Sequence, residues 1–415
     1  VRKRILVVCP GPIYPIEMGS QVRMYNMIRG LSKDHCVDVI AKVPEKGHLT
    51  NEYSAKIKNI CSKYYPILAP NKENIFKRIY YKIKRVFIES GLIPDILFYY
   101  SITKLQKKIL QIANSKKYDI ILCNYWYSCS FYDKLRYRPY LALDTHDLNF
   151  EKYKLALKSK RSRQKNQKKL ARYKELELKY TGKNDLIISA SENDYQFFKK
   201  AFPEKDHLKI PIGQDLTGYL TYNSDSKYKN TILFYGSMSS EQNIKAFFRL
   251  YNHILPLIKS KIPEVELIVL GANPPEKIKK LHNGKDVFVT GFVRDIREWI
   301  SKAVLMILPL EIAGGFRTRV VEVMAMGVPF IGTKNALDCI EIVDGIHGFV
   351  ADSNMDMANC AVKLFNDSTL RNQMGEECKK FVAEKYSIDA TYGRLSEYYT
   401  DMELRSKPGS LQFPG

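Results

Sequence analysis

Apolar residues along this chain follow two alternating rhythms. Short, mostly apolar runs occupy 4–9, 36–41, 118–123, 140–143 and 185–189. Between the first two, after a loop from Pro10 to Gly19, Val22, Met24, Met27, Ile28 and Leu31 recur at helical spacing. A short apolar run bounded by turn residues reads as a buried strand, and helical periodicity between two such runs reads as a βαβ unit. Residues 193–202 predict a short helix closed by Pro203, and 211–226 is polar and turn-rich, as a linker is. The pattern then restarts. Runs at 231–235, 266–270, 287–289, 305–308 and 329–332 predict further strands, the first two ending at Gly236 and Gly271, with a helix between them reaching about 258. Strands alternating with helices over both halves imply an α/β chain with two parallel sheets. Ligands of such sheets bind beyond the carboxyl ends of the strands. Two facing sheets therefore put the expected site in the cleft between them.

Length agrees with that division. A chain of 415 residues exceeds the roughly 250–300 over which one hydrophobic core keeps growing. The expected domains are 1–212 and 213–385, followed by a helix over 386–402 and a tail over 403–415. Eight cysteines are scattered without a C-x-x-C pair and with no histidine at zinc-ligand spacing, which suggests a reducing compartment and no structural zinc. The basic start Val1-Arg-Lys-Arg4 runs into an apolar stretch too short for a signal peptide and better read as a first strand. No apolar run reaches the roughly 18–20 residues that span a bilayer. The expected location is cytoplasmic, peripheral at the inner face of the membrane.

Charge adds a partner. Lys and Arg total 66 against 44 Asp and Glu, a net charge of +22, which favours something anionic. Residues 152–174 hold eleven Lys and Arg and no acid, and 74–87 interleaves bases with bulky apolar groups. Such helices suit an anionic membrane surface, where apolar side chains dip in and cations meet headgroups.

The most informative stretch for chemistry runs from Leu308 to Gly327. A strand ends at Leu308, Gly314 and Gly315 open a loop, and a helix starts near Thr318. The glycines let a ligand approach the backbone, and free amides at a helix start bind anions. Arg317 and Arg319 add fixed positive charge suited to a diphosphate. Glu322, one turn into the helix, is placed to accept two hydrogen bonds from a ribose diol. Gly327-Val-Pro329 then ends the helix and begins the next strand. In the first half, Asp144-Thr-His-Asp147 closes a strand, where His146 can exchange hydrogen bonds with hydroxyls near neutral pH. The Asp144 and Asp147 spacing suggests a metal, but no second carboxylate cluster supports one, so none is expected.

On these residues the chain resembles the retaining GT-B glycosyltransferases of family 4. That signature has two glutamates eight positions apart and then Ala-x-Gly-x-Pro. Glu322 and Ala325-Met-Gly327-Val-Pro329 match its second half, while Gly314 holds the place of the first glutamate. The Gly-Gly-x-Arg-x-Arg form looks like a subgroup associated with exopolysaccharide assembly. The resemblance implies a GT-B fold, with two Rossmann-like domains facing across a cleft and the last helix returning to the first domain. It also implies transfer of a sugar, with retention, from a nucleotide-sugar donor to a glycan or lipid-linked acceptor, without cofactor or metal. By the same resemblance Gly314, Gly315, Phe316, Arg317, Thr318, Arg319 and Glu322 bind the donor, and Arg317, Arg319 and His146 are catalytic. Gly236, Ser237 and Asn243 stand where the family holds phosphate with two basic side chains, so Arg317 or Arg319 is expected to compensate. Phe292, Val293 and Arg294 match the loop that packs on the nucleobase. Gly19 and Ser20 match the glycine loop facing the donor phosphate, and Arg23 and Asp147 fall to the acceptor.

Three other readings compete. A nucleic-acid-binding protein would share the charge, but no helix-turn-helix, zinc-finger or RNA-binding signature is present. A non-catalytic GT-B scaffold would share the fold, and a nucleotide-sugar epimerase would share the donor. Products separate them: free nucleotide that appears only with acceptor marks transfer, and an isomerised sugar marks the epimerase.

Overall fold

The computed structural model describes residues 1–16, 18–43, 50–68, 103–158, 163–222, 230–311, 316–337 and 340–405. The chain divides into two compact units, an N-terminal one of Val1–Gly213 joined by the residues from Thr391 onward, and a C-terminal one of Gln214–Ala390. Among the described residues no helix is long and apolar enough to cross a membrane. The basic segment 74–87 lies outside the described residues, as do 159–162 of the second one.

The N-terminal unit is built on a seven-stranded sheet. Its strands are β1 (Arg4–Cys9), β2 (Cys36–Val43), β3 (Lys63–Leu68), β4 (Ile120–Asn124), β5 (Tyr140–Asp144), β6 (Leu186–Ser189) and β7 (Asp206–Lys209). The spatial order is β3-β2-β1-β4-β5-β6-β7, with parallel pairing throughout. Helices cover both faces of such a sheet, so its central strands are apolar without alternation. Ile5, Leu6, Val7, Ile120, Ile121 and Leu122 are fully buried accordingly. The helix Gly19–Leu31 buries Met24, Met27, Ile28 and Leu31, four of the five positions its periodicity marked, with Val22 only partly buried. Edge strands β3 and β7 escaped the sequence reading. They are only half-buried, and β7 reads Asp-His-Leu-Lys, with no apolar run to detect.

The final helix, Arg394–Arg405, belongs to this unit. Ser396 Oγ donates to Asp34 at 2.6 Å, and Tyr398 OH donates to Asp206 at 2.7 Å. Tyr399 on this helix and Tyr392 just before it are fully buried.

The C-terminal unit has six strands: β8 (Thr231–Tyr235), β9 (Glu266–Leu270), β10 (Val287–Gly291), β11 (Leu305–Leu308), β12 (Phe330–Gly332) and β13 (Gly348–Val350). Their order is β10-β9-β8-β11-β12-β13, again all parallel. In each unit the order reverses once, between β1 and β4 and between β8 and β11. At such a reversal the connecting loops diverge to opposite faces and leave a crevice at the carboxyl ends of the strands.

Two glycines shape the helix Thr318–Ala325. Gly327, at φ +68°, ends it: the Gly327 amide donates to Met324 O at 2.9 Å and the Val328 amide to Val323 O at 3.2 Å. That paired arrangement needs a left-handed residue, which glycine adopts without strain. Gly375, on the helix Ser368–Tyr386, packs so closely that a Cβ there would come within 2.4 Å of Gly327 O.

Candidate functional site

In the C-terminal unit the strands flanking the reversal carry the candidate residues. β8 ends at Tyr235 and Gly236. The Gly236 amide donates to Leu270 O at 3.0 Å, and a Cβ on Gly271 would sit 1.9 Å from Gly236 O. The two strand ends therefore meet backbone to backbone, and only glycine fits at 271. A Cβ on Gly236 would come within 3.1 Å of Asn243 Nδ2 and 3.5 Å of Arg319 Nη1, so the Arg319 guanidinium lies across the end of β8. Arg319 also sits over the Tyr235 ring, its Cζ 5.6 Å from the centroid, a distance at which a cation is attracted by the ring face.

Glu322 lies one helical turn beyond Arg319. Burial pushes its carboxyl up from the usual range, with the neighbouring Tyr235 and the charge of Arg319 opposing. Its Oε2 is buried and has no hydrogen-bond partner among the described residues. Leaving a buried acceptor unsatisfied costs about 1–3 kcal/mol, and native proteins keep few such atoms unless something else occupies them.

The remaining donor-side residues fall into three groups. Arg317 is the N-cap of the helix Thr318–Ala325, with its Nε and Nη2 buried, and Thr318 O accepts from Gln214 Nε2 at 3.3 Å. Phe316 packs on Tyr386 with centroids 5.4 Å apart. Asn243, expected near phosphate, is buried and donates to Ser237 O at 2.8 Å; its amide nitrogen closes the loop after β8. After β10, Gly291 turns the chain at φ +67° and Phe292 stands 81% exposed. Val293 packs against the core, Arg294 is exposed, and Arg297 anchors the loop to Asp295 and to Gly218 O at 3.2 Å. Gly314 and Gly315 lie outside the described residues.

In the N-terminal unit His146 follows β5 in a left-handed conformation, φ +61°, and stacks on Tyr125, itself at φ +64°, with centroids 4.0 Å apart. Two bulky residues held at positive φ, each at the carboxyl end of a neighbouring strand, store backbone strain of a kind that clusters at functional sites. His146 Nε2 lies 2.9 Å from Asn124 Oδ1 and 3.4 Å from Asp144 Oδ2. Both are acceptors, and Asn124 Nδ2 already donates to Val8 O at 3.2 Å, so Nε2 carries the proton and Nδ1 the lone pair. Burial lowers His146 to about 4, with Asp144 opposing and Arg23 and Lys152 adding to the effect. The ring is neutral at physiological pH.

Arg23 requires a correction. Expected at the acceptor, it is fully buried, with Nε and Nη2 on the two Asp144 oxygens at 2.7 and 2.8 Å and Nη1 on Ile210 O at 2.7 Å. Burial alone would raise Asp144, but the Arg23 guanidinium and His146 outweigh it and hold the carboxyl below its ordinary value. Arg23 belongs to a fully buried ion pair, and each of its three nitrogens already has an acceptor within the unit. Asp147 is half-buried and pairs with Lys152. It does not cap the helix Asn149–Lys158, because Glu177 accepts from the Asn149 and Phe150 amides at 2.9 and 2.7 Å. Gly19 and Ser20 open the helix Gly19–Leu31, and a Cβ on Gly19 would meet only Ile212 Cδ1 at 4.0 Å, so packing does not demand a glycine there.

Residues 229–367 match the family described as "Glycosyl transferases group 1". The C-terminal unit carries a glycosyltransferase group 1 domain. Tyr235, Gly236, Arg319 and Glu322 all fall inside it. Among curated proteins the chain is 26% identical over 155 residues to the N-acetyl-alpha-D-glucosaminyl L-malate synthase of Bacillus anthracis, which covers 36% of this chain and only 40% of that enzyme. Among solved structures it is similar to the sucrose-phosphate synthase of Thermosynechococcus elongatus, with TM-score 0.67 and 15% identity over 97% of this chain and 100% of that one. It is similar also to Anabaena HepE in complex with UDP and glucose, with TM-score 0.63 and 13% identity over 96% and 100%. At these identities the likeness shows the fold, which is GT-B.

Sequence reasoning missed Tyr235, Asn124 and Tyr125 around the group 1 domain and His146. Tyr235 ends an apolar run and looks like core. Only its place immediately before Gly236, at the carboxyl end of a strand, could have marked it.

Proposed function

We propose that this chain is a retaining, metal-independent glycosyltransferase that moves a sugar from a nucleotide-sugar donor to a glycan or lipid-linked acceptor. The observation that carries the reading is the unsatisfied, buried Glu322 Oε2 beside a guanidinium in a group 1 domain. A carboxylate oxygen with that vacancy suits a ribose hydroxyl, and Arg319 with Arg317 suits the diphosphate. Departure of a nucleoside diphosphate needs charge stabilisation more than a strong base. Arginines and the amides at the start of the helix Thr318–Ala325 supply it from this chain's own groups. His146, neutral and carrying its lone pair on Nδ1, accepts a hydrogen bond from a hydroxyl of donor sugar or acceptor. We place the reaction in cell-surface polysaccharide or glycoconjugate synthesis, at the cytoplasmic face of an anionic membrane, on the strength of the charge, the basic segments and the Arg-x-Arg motif.

The test is a thermal-shift screen of nucleoside diphosphates and their sugars, since a ligand that binds only the folded state stabilises it by about 2.7 kcal/mol at a hundredfold excess over Kd. UDP and a UDP-sugar are expected to raise Tm, as UDP is what HepE holds. Activity should survive chelator, and NMR of the product should show the donor's anomeric configuration. No shift with any nucleotide-sugar would sink the proposal.

A further inference from the structure

His146 sits at the centre of a three-residue turn. The Asp147 amide donates across it to Thr145 O at 2.8 Å, and His146 between them is at φ +61°. This is the arrangement of a γ-turn with a left-handed central residue, which is rare and strained. Such a conformation persists only where the surroundings over-determine it. Two side chains outside the turn do so. Asn149 Nδ2 donates back to Thr145 O at 3.3 Å and to Asp147 O at 2.8 Å, bridging the turn from one flank to the other. Glu177, on the helix Arg163–Thr181, accepts from the Asn149 and Phe150 amides at 2.9 and 2.7 Å. Amides of a first helical turn have no partner within their own helix, and Leu148, just before this one, has an apolar side chain. Both Asn149 and Glu177 are buried. On the far side Thr145 is pinned to β6, its amide and Oγ1 both donating to Ile188 O at 3.0 Å.

We propose that Asn149 and Glu177 are positioning residues, which together clamp the turn so that the His146 imidazole stays at the carboxyl end of β5, beside Asn124 and Tyr125, to meet a sugar hydroxyl. The inference rests on the role given to His146 above and deepens it. Neither side chain need touch a substrate. Every bond of the clamp goes to backbone, so what it fixes is the path of the chain through 145–150. An ordinary helix cap comes from the residue before the helix. A cap drawn from 28 residues along the chain also fixes where the helix starts against the helix behind it.

Two variants open the clamp and a third leaves it whole. Glu177→Gln keeps the size and offers one acceptor in place of two. Asn149→Leu keeps the size and cannot donate. Leu176→Ala, a core truncation beside Glu177 on the same helix, lowers stability without touching a bond of the clamp. The first readout is imidazole NMR, assigned with His146→Gln. In wild type and in Leu176→Ala, His146 should keep its lowered value of about 4. In Glu177→Gln and Asn149→Leu it should rise toward the ordinary 6.5, because a relaxed turn lets water reach the ring. The charged groups facing the ring are Asp144, Arg23 and Lys152, all untouched. Removing a negative charge at 177 would by itself lower the value, so a rise reports the turn. The second readout is sugar transfer. Its kcat should fall roughly tenfold to a hundredfold, as for a small misplacement of a catalytic group, with the KM for donor unchanged. Added to His146→Gln, Glu177→Gln should cost no further activity, since it acts through that ring. An imidazole value unmoved in both clamp variants, or activity losses that add in the double variant, would overturn the proposal. If wild type transfers no sugar, the function proposed above falls, and the imidazole titration still decides whether the clamp holds the turn.

Discussion

In the N-terminal unit Arg23 and Asp144 meet fork to fork with no exposed surface, while in the C-terminal unit Arg319 and Glu322 stand three residues apart on one helix and the Arg319 guanidinium lies over the Tyr235 ring. Both sets lie near the carboxyl ends of parallel strands beside a reversal of strand order. The first is closed: every donor nitrogen of Arg23 that the fork offers has an acceptor inside the unit. The second is open, with one carboxylate oxygen unsatisfied. A charge satisfied within the fold holds the fold together, and a charge with a contact left unfilled is available to a ligand. The residue types alone do not distinguish the two.

The largest expected effect breaks the comparison directly. Arg23→Met leaves Asp144 buried without its cation, which typically costs about 3–5 kcal/mol. Urea unfolding should show that loss. Arg319→Met should change stability by no more than about 1 kcal/mol, within the range of ordinary substitutions, and reduce UDP affinity by tenfold or more, the loss of a charge-assisted contact. Equal destabilisation by both would erase the distinction between a closed and an open pair.

The next effect sharpens it through pH. His146 sits against the closed pair with its folded value lowered to about 4 from an ordinary 6.5. Between those values the unfolded chain binds a proton that the folded chain refuses, so stability rises with pH across that window. The contribution is complete above about pH 6.5 and lost as pH falls through about 4, at most about 3 kcal/mol. Unfolding free energies measured at pH 7, 5.5 and 4.5 should fall less steeply for His146→Gln than for wild type. Parallel slopes would mean that the imidazole titrates normally.

The smallest effect concerns Asp147, whose pair with Lys152 is partly exposed. Such pairs contribute roughly 0–1 kcal/mol. Asp147→Asn should leave stability and UDP affinity nearly unchanged and raise only the KM for acceptor. A change in UDP affinity instead would move Asp147 to the donor.

Much of the fold was legible because buried parallel strands carry mostly apolar runs. β1, β2, β4, β5, β6 and the strands β8 to β12 each have one. β3, β7 and β13 lie at sheet edges, where burial is partial and the pattern is harder to read, although β10, the other edge strand, keeps its Val-Phe-Val run. At the candidate site, Glu322 and Arg319 were legible because glycines, arginines, an acid and Gly327-Val-Pro329 follow one another in a short stretch with a local physical meaning. Arg23 was misassigned because an arginine near a glycine loop looks ligand-facing until its burial is known. Asn124 and Tyr125 gave no local sign, since their roles arise from a histidine on the neighbouring strand.

The order of apolar runs, turn glycines and helical periodicities determined by itself that this chain builds two parallel-sheet units and that a cationic loop opens a helix after β11. Those features depend on residues a few positions apart. Whether a charge is spent inside or left for a ligand was decided only in three dimensions. Arg23 finds Asp144 across 121 residues of chain, and Tyr235 meets Arg319 from the neighbouring strand of the sheet. Burial and ion pairing are set by neighbours in space, and no short-range pattern encodes which ones those will be.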